Sequence, residues 1–192
     1  MTLENKSIGV AFTGSFCTYT LAFQALEELT AQKAQVQTIF SYHAQELDSR
    51  FGKAEYFLDK AERITKKPPI LTITDAEPIG PKKLLDLFII MPCTGNTLAK
   101  LANGITDTPV LMAAKAHLRN ERPLLLAIST NDALGMNMKN IGLLLNAKHI
   151  FFVPFGQDNP QGKPNSMIAR LNFLIPAAEA ALENRQYQPI IQ

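Results

Sequence analysis

The stretch Pro92-Cys93-Thr94-Gly95-Asn96-Thr97 sets two hydroxyls and a carboxamide between an apolar run, Leu87-Phe88-Ile89-Ile90-Met91, and a helical pattern through Leu98, Leu101, Ala102 and Ile105. Such side chains donate and accept hydrogen bonds without carrying charge, which suits a ligand rich in carbonyls, hydroxyls or phosphate oxygens. A helix start adds unpaired N–H groups and the positive end of the dipole, and both favour an anion or a polarised carbonyl. Thr94 or Asn96 could equally cap the helix, with Gly95 relieving a tight turn. The motif says where chemistry would sit and leaves its kind open.

Three other loops carry the same small polar residues: Thr13-Gly14-Ser15, Ser41-Tyr42-His43 and Ser129-Thr130-Asn131-Asp132. Gly14 and Ser15 could hold a single phosphate, or make an ordinary strand-to-helix turn capped by the serine. The segment Gly9 to Ser15 lacks the three-glycine spacing through which a dinucleotide pyrophosphate approaches the backbone, so a mononucleotide fits better than NAD. His43 is the candidate acid or base, because an imidazole titrates near neutral pH. With His117 and His149 it shows no metal-ligand spacing, and no metal site is expected. Cys93 reads as a small buried apolar residue, since no base adjoins it in sequence. The polar segment from Gly156 to Pro164 follows the last expected strand and is either a solvated connector or a flap over the ligand edge. As a flap it would let Lys163 or Arg170 pair with a dicarboxylate substrate.

Positioning these loops takes a regular frame. Apolar runs at Ile8 to Phe12, Val36 to Phe40, Leu87 to Met91, Leu124 to Ile128 and Ile150 to Val153 read as strands. Ile70 to Ile73 reads as a short strand or extended connector, and Pro92 should end pairing of the strand before it. Amphipathic helices are expected through Leu21 to Leu29, Phe57 to Ile64, Thr97 to Asn103, Val110 to Leu118 and Ile141 to Leu145. A long helix is expected from Met167 to Leu182, with Asn165 and Ser166 as cap candidates. Alternating strands and helices predict α/β architecture: one Rossmann-like, doubly wound parallel sheet spanning residues 1–192 as a single domain. Ligands in such folds bind beyond the carboxyl ends of the strands, which would collect the four polar loops on one edge.

Bulk properties agree. At 192 residues and 46% hydrophobic content the chain suits one core, and a net charge of +2 with scattered basic residues gives no electrostatic case for nucleic acid. Two cysteines, Cys17 and Cys93, do not make a disulfide framework, so a reducing cytoplasm is expected. No secretion signal is visible, and no apolar run approaches the roughly 18 to 20 residues that span a bilayer.

The stretch from Pro92 to Asp107, with Asn96-Thr97, Lys100 and Gly104-Ile105-Thr106-Asp107, resembles the signature of the flavoprotein superfamily of homo-oligomeric flavin-containing cysteine decarboxylases. That superfamily usually has Ser and Ala at Thr94 and Gly95. Thr13-Gly14-Ser15 is similar to its phosphate-binding turn, and Asn131 carries over from its Pro-Ala-Met-Asn segment, whose Pro and Met are absent here. The resemblance implies FMN, with its phosphate at Gly14 and Ser15. Its ribityl chain and ring edge would lie near Ser41, Thr94, Gly95, Asn96 and Thr97, and Ser129 and Asn131 would face the ring or substrate. It also implies a homo-oligomer, for which the apolar helix from Val110 to Ala116 could pack between protomers or simply join the core. A closer resemblance runs through Ala127 to Gly135, Lys139 to Gly142, Phe152 to Pro160 and Lys163 to Ser166. It implies one half of a two-component oxidoreductase of spore-forming bacteria, acting on a small dicarboxylate with a nicotinamide-dependent partner that uses NADP, in the mother-cell cytoplasm. An independent FMN-dependent decarboxylase and a non-catalytic binding component with a decayed flavin site are the alternatives.

Overall fold

The computed structural model describes residues 2–192. Seven strands occur in the order β1 (Ser7–Phe12), β2 (Gln35–Phe40), β3 (Leu87–Cys93), β4 (Leu124–Thr130), β5 (Ile150–Phe152), β6 (Phe155–Gly156) and β7 (Met167–Ala169). The helices are α1 (Tyr19–Ala31), α2 (Tyr42–Glu46), α3 (Ala54–Thr65), α4 (Ile73–Ala76), α5 (Gly95–Ala102), α6 (Pro109–Leu118), α7 (Met138–Leu145) and α8 (Leu174–Leu182). The first five strands pair in parallel in the order β2-β1-β3-β4-β5. The apolar runs of β1, β3, β4 and β5 are continuous because both faces are covered, whereas β2, at the sheet edge, is interrupted by Gln37 and Thr38. One face packs Tyr19, Phe23, Phe57, Leu174 and Ala178 against the sheet, and the other packs Leu98, Val110, Ala114, Ile141 and Leu144.

In this strand order the chain reverses direction across the sheet at β1 and β3, so their following loops part and leave a crevice at the carboxyl edge. The Rossmann-like α/β expectation is met in its parallel core. Its uniformity is not, because β7 runs antiparallel to β4, pairing Thr130 with Met167 and Ser129 with Ile168, and β6 runs antiparallel to β7. β4 therefore has two partners on one side, β5 along Leu124 to Leu126 and β7 at its end.

That addition corrects the long helix expected from Met167. Met167–Ala169 is strand, a 3-10 turn covers Leu171–Phe173, and α8 starts only at Leu174. The backbone of Met167 to Ala169 completes the ladder at the end of β4, and that pairing outweighs a helical apolar spacing. Asn165 and Ser166 cap nothing: the Asn165 carbonyl accepts from Leu134 N at 3.0 Å, and α8 follows Phe173 with no side-chain cap. The strand expected at Ile70 to Ile73 shrinks to one parallel bridge, Ile39 to Ile70, and Ile73 already opens α4. Pro92 does not end β3, which continues to Cys93. Pairing with β1 stops at Ile90, and the register against β4 shifts between Ile90 and Cys93, where the proline leaves the ladder without a donor. The helix thought available between protomers, α6, is intramolecular core: Val110, Ala113 and Ala114 are fully buried against the sheet.

Candidate functional site

The edge is built from β1 and β3 outward. Thr13, the first residue beyond β1, is 1% exposed and ties the two strands' loops together: its hydroxyl donates to the Pro92 carbonyl at 2.6 Å and accepts from Thr94 N at 3.1 Å. Its own carbonyl accepts from the Tyr19 hydroxyl at 3.1 Å. Tyr19 belongs to an aromatic cluster with Phe12, Phe23 and Phe57, its ring centroid 4.7 Å from that of Phe57, so the core holds the loop in place. The turn after Gly14 continues as a 3-10 helix, Phe16–Thr18, before α1, and the Ser15 hydroxyl does not cap it. Thr94 caps α5: its hydroxyl accepts from Thr97 N at 3.2 Å, which leaves the adjacent Asn96 free of that role.

Two adjoining cavities share Gly14 and Thr94 in their walls. The first, about 470 Å³, is lined by Thr13, Ser41, His43, Asn96, Thr97 and Lys100 among others. The side chains of Ser41, His43 and Asn96 make no hydrogen bond to another described residue; Ser41 is buried at the cavity wall, and His43 and Asn96 are exposed, so each can bond to a group from outside the chain. Lys100 is paired with Asp107 at 2.6 Å.

The second cavity, about 410 Å³, is lined by Ser15, Gly95, Ser129, Asn131, Asp132 and Lys163 among others. Here the polar groups are bonded to one another. Ser15 Oγ lies 2.7 Å from Ser129 Oγ, joining the loops after β1 and β4. The Thr130 hydroxyl donates to Asp132 Oδ1 at 2.6 Å, and Asn137 Nδ2 reaches both carboxylate oxygens at 2.9 and 2.8 Å. The Thr130 bond, against partial burial and with help from Asn137, holds the Asp132 carboxyl below its ordinary range. Gly95 fits into this cluster because it lacks a side chain. A Cβ there would lie 2.5 Å from Asn137 Nδ2, 2.6 Å from Thr130 Oγ1 and 2.8 Å from Asp132 Oδ1. The cluster supplies a physical reason why this chain has glycine where the resembled signature has alanine.

The structure thus brings Gly14, Ser15, Ser41, Thr94, Gly95, Asn96, Thr97, Ser129 and Asn131 to one edge, together with His43 and Lys163. It does not bring Arg170 there: that guanidinium donates to the Gln157 carbonyl at 2.9 Å and lines neither cavity. The segment from Gln157 to Ser166 is the β6–β7 connection, and it contributes Asp158, Lys163 and Ser166 to the second cavity. Sequence reasoning passed over Thr108, and it gave no individual site role to Asp132, named only within its loop, to Asp158, covered only by the flap segment, or to Ser166, read as a helix cap. The loop pattern already held Asp132, but only the fold shows Asp158 and Ser166 reaching the same wall. Elsewhere, Cys93 is fully buried and burial pushes its thiol up, while His117 is buried behind β3 with its pKa lowered to about 4 by burial. Among the described residues no group of His, Cys, Asp or Glu could hold a metal ion. None of the described helices is long and apolar enough to cross a membrane.

Residues 1–169 match the flavoprotein family model. The chain is 48% identical over 189 residues to the B subunit of dipicolinate synthase from Bacillus subtilis (strain 168), covering 98% of this chain and 94% of that one. The crystal structure of the dipicolinate synthase B subunit from Bacillus halodurans C superposes with a TM-score of 0.92 at 46% identity, over 100% of this chain and 98% of that one. The FMN-dependent cysteine decarboxylase SpaF shares the fold at a TM-score of 0.69 and 18% identity, over 95% and 99% of the two chains. The chain belongs to the flavoprotein family and, within it, to the family of dipicolinate synthase B subunits.

Proposed function

We propose that the chain is the B subunit of a dipicolinate synthase. In this reading it holds FMN chiefly in the first cavity, reaching Ser15 and Gly95 across the wall formed by Gly14 and Thr94, and a small dicarboxylate substrate in the rest of the second. It works with a nicotinamide-dependent A-type partner, whose NADP takes part when a dihydrodipicolinate-type intermediate is oxidised to dipicolinate. Homo-oligomeric assembly and a place in the mother-cell cytoplasm of a sporulating bacterium belong to the same proposal. The observation that carries the reading is the convergence of Ser41, His43 and Asn96, all without partners among the described residues, on a cavity between the β1 and β3 loops in a chain of this family.

The residues present fit FMN. Uncharged donors and acceptors suit its ribityl hydroxyls and ring carbonyls, and the Gly14 N–H suits its phosphate, the Ser15 N–H being donated to the Thr13 carbonyl at 2.8 Å. Gly14 and Ser15 would take the phosphate. Ser41, Thr94, Gly95, Asn96 and Thr97 would line the ribityl chain and ring edge, with Ser129 and Asn131 on the substrate side. When bound, the flavin supplies a ring that accepts two electrons. The chain's own work is to hold a dianion in register with a hydride acceptor, with Lys163 facing a carboxylate and His43 available to take the proton lost as the ring becomes aromatic. Aromatisation removes a hydride to the acceptor and one proton to the base or solvent.

Reconstitution tests the reading. The purified chain is mixed with a purified A-type partner, a freshly generated dihydrodipicolinate precursor and NADP, with and without FMN, and dipicolinate absorbance is followed. Product that depends on this chain is expected, and equal product without it would overturn the assignment.

A further inference from the structure

The second cavity is lined by one cation, Lys163, and that cation already faces a carboxylate of its own loop: Nζ lies 3.5 Å from Asp158 Oδ2. Both residues sit on the β6–β7 connection, and both line the cavity. Asp158 has a second partner, the Ser166 hydroxyl, which is itself almost fully buried and lies 3.5 Å from the Asn131 carboxamide oxygen. Lys163, Asp158, Ser166 and Asn131 therefore form a chain from the connection to the β4 loop. The first cavity offers a contrast. Its Lys100–Asp107 pair is a direct charge-assisted hydrogen bond at 2.6 Å, whereas 3.5 Å is a looser contact that another carboxylate can improve on. Asp132, the other acid of the second cavity, has both oxygens occupied by Thr130 and Asn137.

Resting on the dicarboxylate reading above, we propose that Asp158 is an internal stand-in for a ligand carboxylate and a specificity-determining residue of the second cavity. It neutralises Lys163 when no ligand is bound and competes with an incoming carboxylate for the ammonium. When a dicarboxylate wins, Asp158 falls back on Ser166 and lies beside a like charge, so weakly bound anions are rejected and only a ligand with further contacts in the cavity is held. Burial works against this carboxylate, but the hydrogen bond from Ser166 and the neighbouring Lys163 hold it ionised, which a competing anion must be.

The test titrates pyridine-2,6-dicarboxylate into the full chain by calorimetry, using wild type, Asp158→Asn, Lys163→Met and the double variant, with an FMN titration of each to confirm that the neighbouring cavity is intact. Asp158→Asn is expected to tighten dicarboxylate binding about threefold, in line with the modest strength of a part-exposed ion pair. Lys163→Met is expected to weaken it about tenfold, and the gain from Asp158→Asn is expected to shrink in the double variant to the small part that comes from relief of like-charge repulsion. Binding no tighter in Asp158→Asn, or a gain that is undiminished in the double variant, overturns the inference while leaving the dicarboxylate reading in place. No dicarboxylate binding by any of the four, with FMN binding retained, overturns both.

Discussion

The two ends of the sheet use similar polar groups in opposite ways. At the amino ends of the strands, His117, Asp86 and Arg122 all have protein partners. His117 Nε2 bonds the Pro123 carbonyl at 2.8 Å, the Asp86 carboxylate accepts from Ser7 N at 2.9 Å, and Arg122 donates to the Leu85 carbonyl. At the carboxyl ends, Ser41, His43 and Asn96 are left without one among the described residues. A buried polar group without a partner is costly, and His117 is closed off by its bond to Pro123, although Thr38 Oγ1 inside β2 is buried with no partner among the described residues. His43 and Asn96 are exposed, so water can supply their bonds and a ligand could replace it. Within the carboxyl edge the contrast recurs more mildly: the first cavity presents open polar groups, and in the second most hydroxyls, amides and carboxylates are already bonded to one another.

Acid should break the closed end first. The folded pKa of His117 is lowered to about 4 from an ordinary 6.5, so the unfolded chain binds the proton more readily. Stability from this residue is complete above pH 6.5 and is lost progressively as pH falls toward 4, by roughly 3 kcal/mol in all. Urea midpoints measured from pH 7 to 4 check this, and His117→Leu should flatten that part of the profile. Next in size is Thr13→Val, which strands the Thr94 N–H and the Pro92 carbonyl and should cost about 1–3 kcal/mol by denaturant unfolding. Gly95→Ala should cost a similar or slightly smaller amount, about 1–3 kcal/mol, by forcing apart the Asn137, Thr130 and Asp132 cluster. Gly142→Ala, in α7 with nothing within 4 Å of its Cβ, should instead be neutral or gain up to about 1 kcal/mol. Smallest in stability is Asn96→Ala, within about 0.5 kcal/mol, because the open end contributes little to folding. Its effect should fall on flavin affinity, weakened about tenfold in a fluorescence titration.

Much of this contrast was legible in the residues. Continuous apolar runs marked four of the five parallel strands, since strands covered on both faces carry no alternating polar residues, and Val36, Ile39 and Phe40 marked the edge strand β2. The loops that follow them named the edge, because chain direction in a parallel sheet fixes which ends gather. What escaped was non-local. Nothing in Met167-Ile168-Ala169 announces pairing with Ser129 and Thr130, far back in the chain, and a short apolar run fits a helix turn as well as a strand. Arg170 was misplaced for the same reason: once Met167 to Ala169 is strand, the guanidinium turns to Gln157. The partnership of Gly95 with Asp132 and Asn137 likewise depends on how α5 packs beside α7 and the loop before it.

A fluorescence titration of FMN against wild type, Ser41→Ala and Asn96→Ala tests the central claim most directly, because it asks whether the open groups of the first cavity are open for a ligand. One flavin per chain is expected in the wild type, with affinity reduced in both variants and unfolding midpoints unchanged. Absence of flavin binding, or binding indifferent to both substitutions, would contradict the claim.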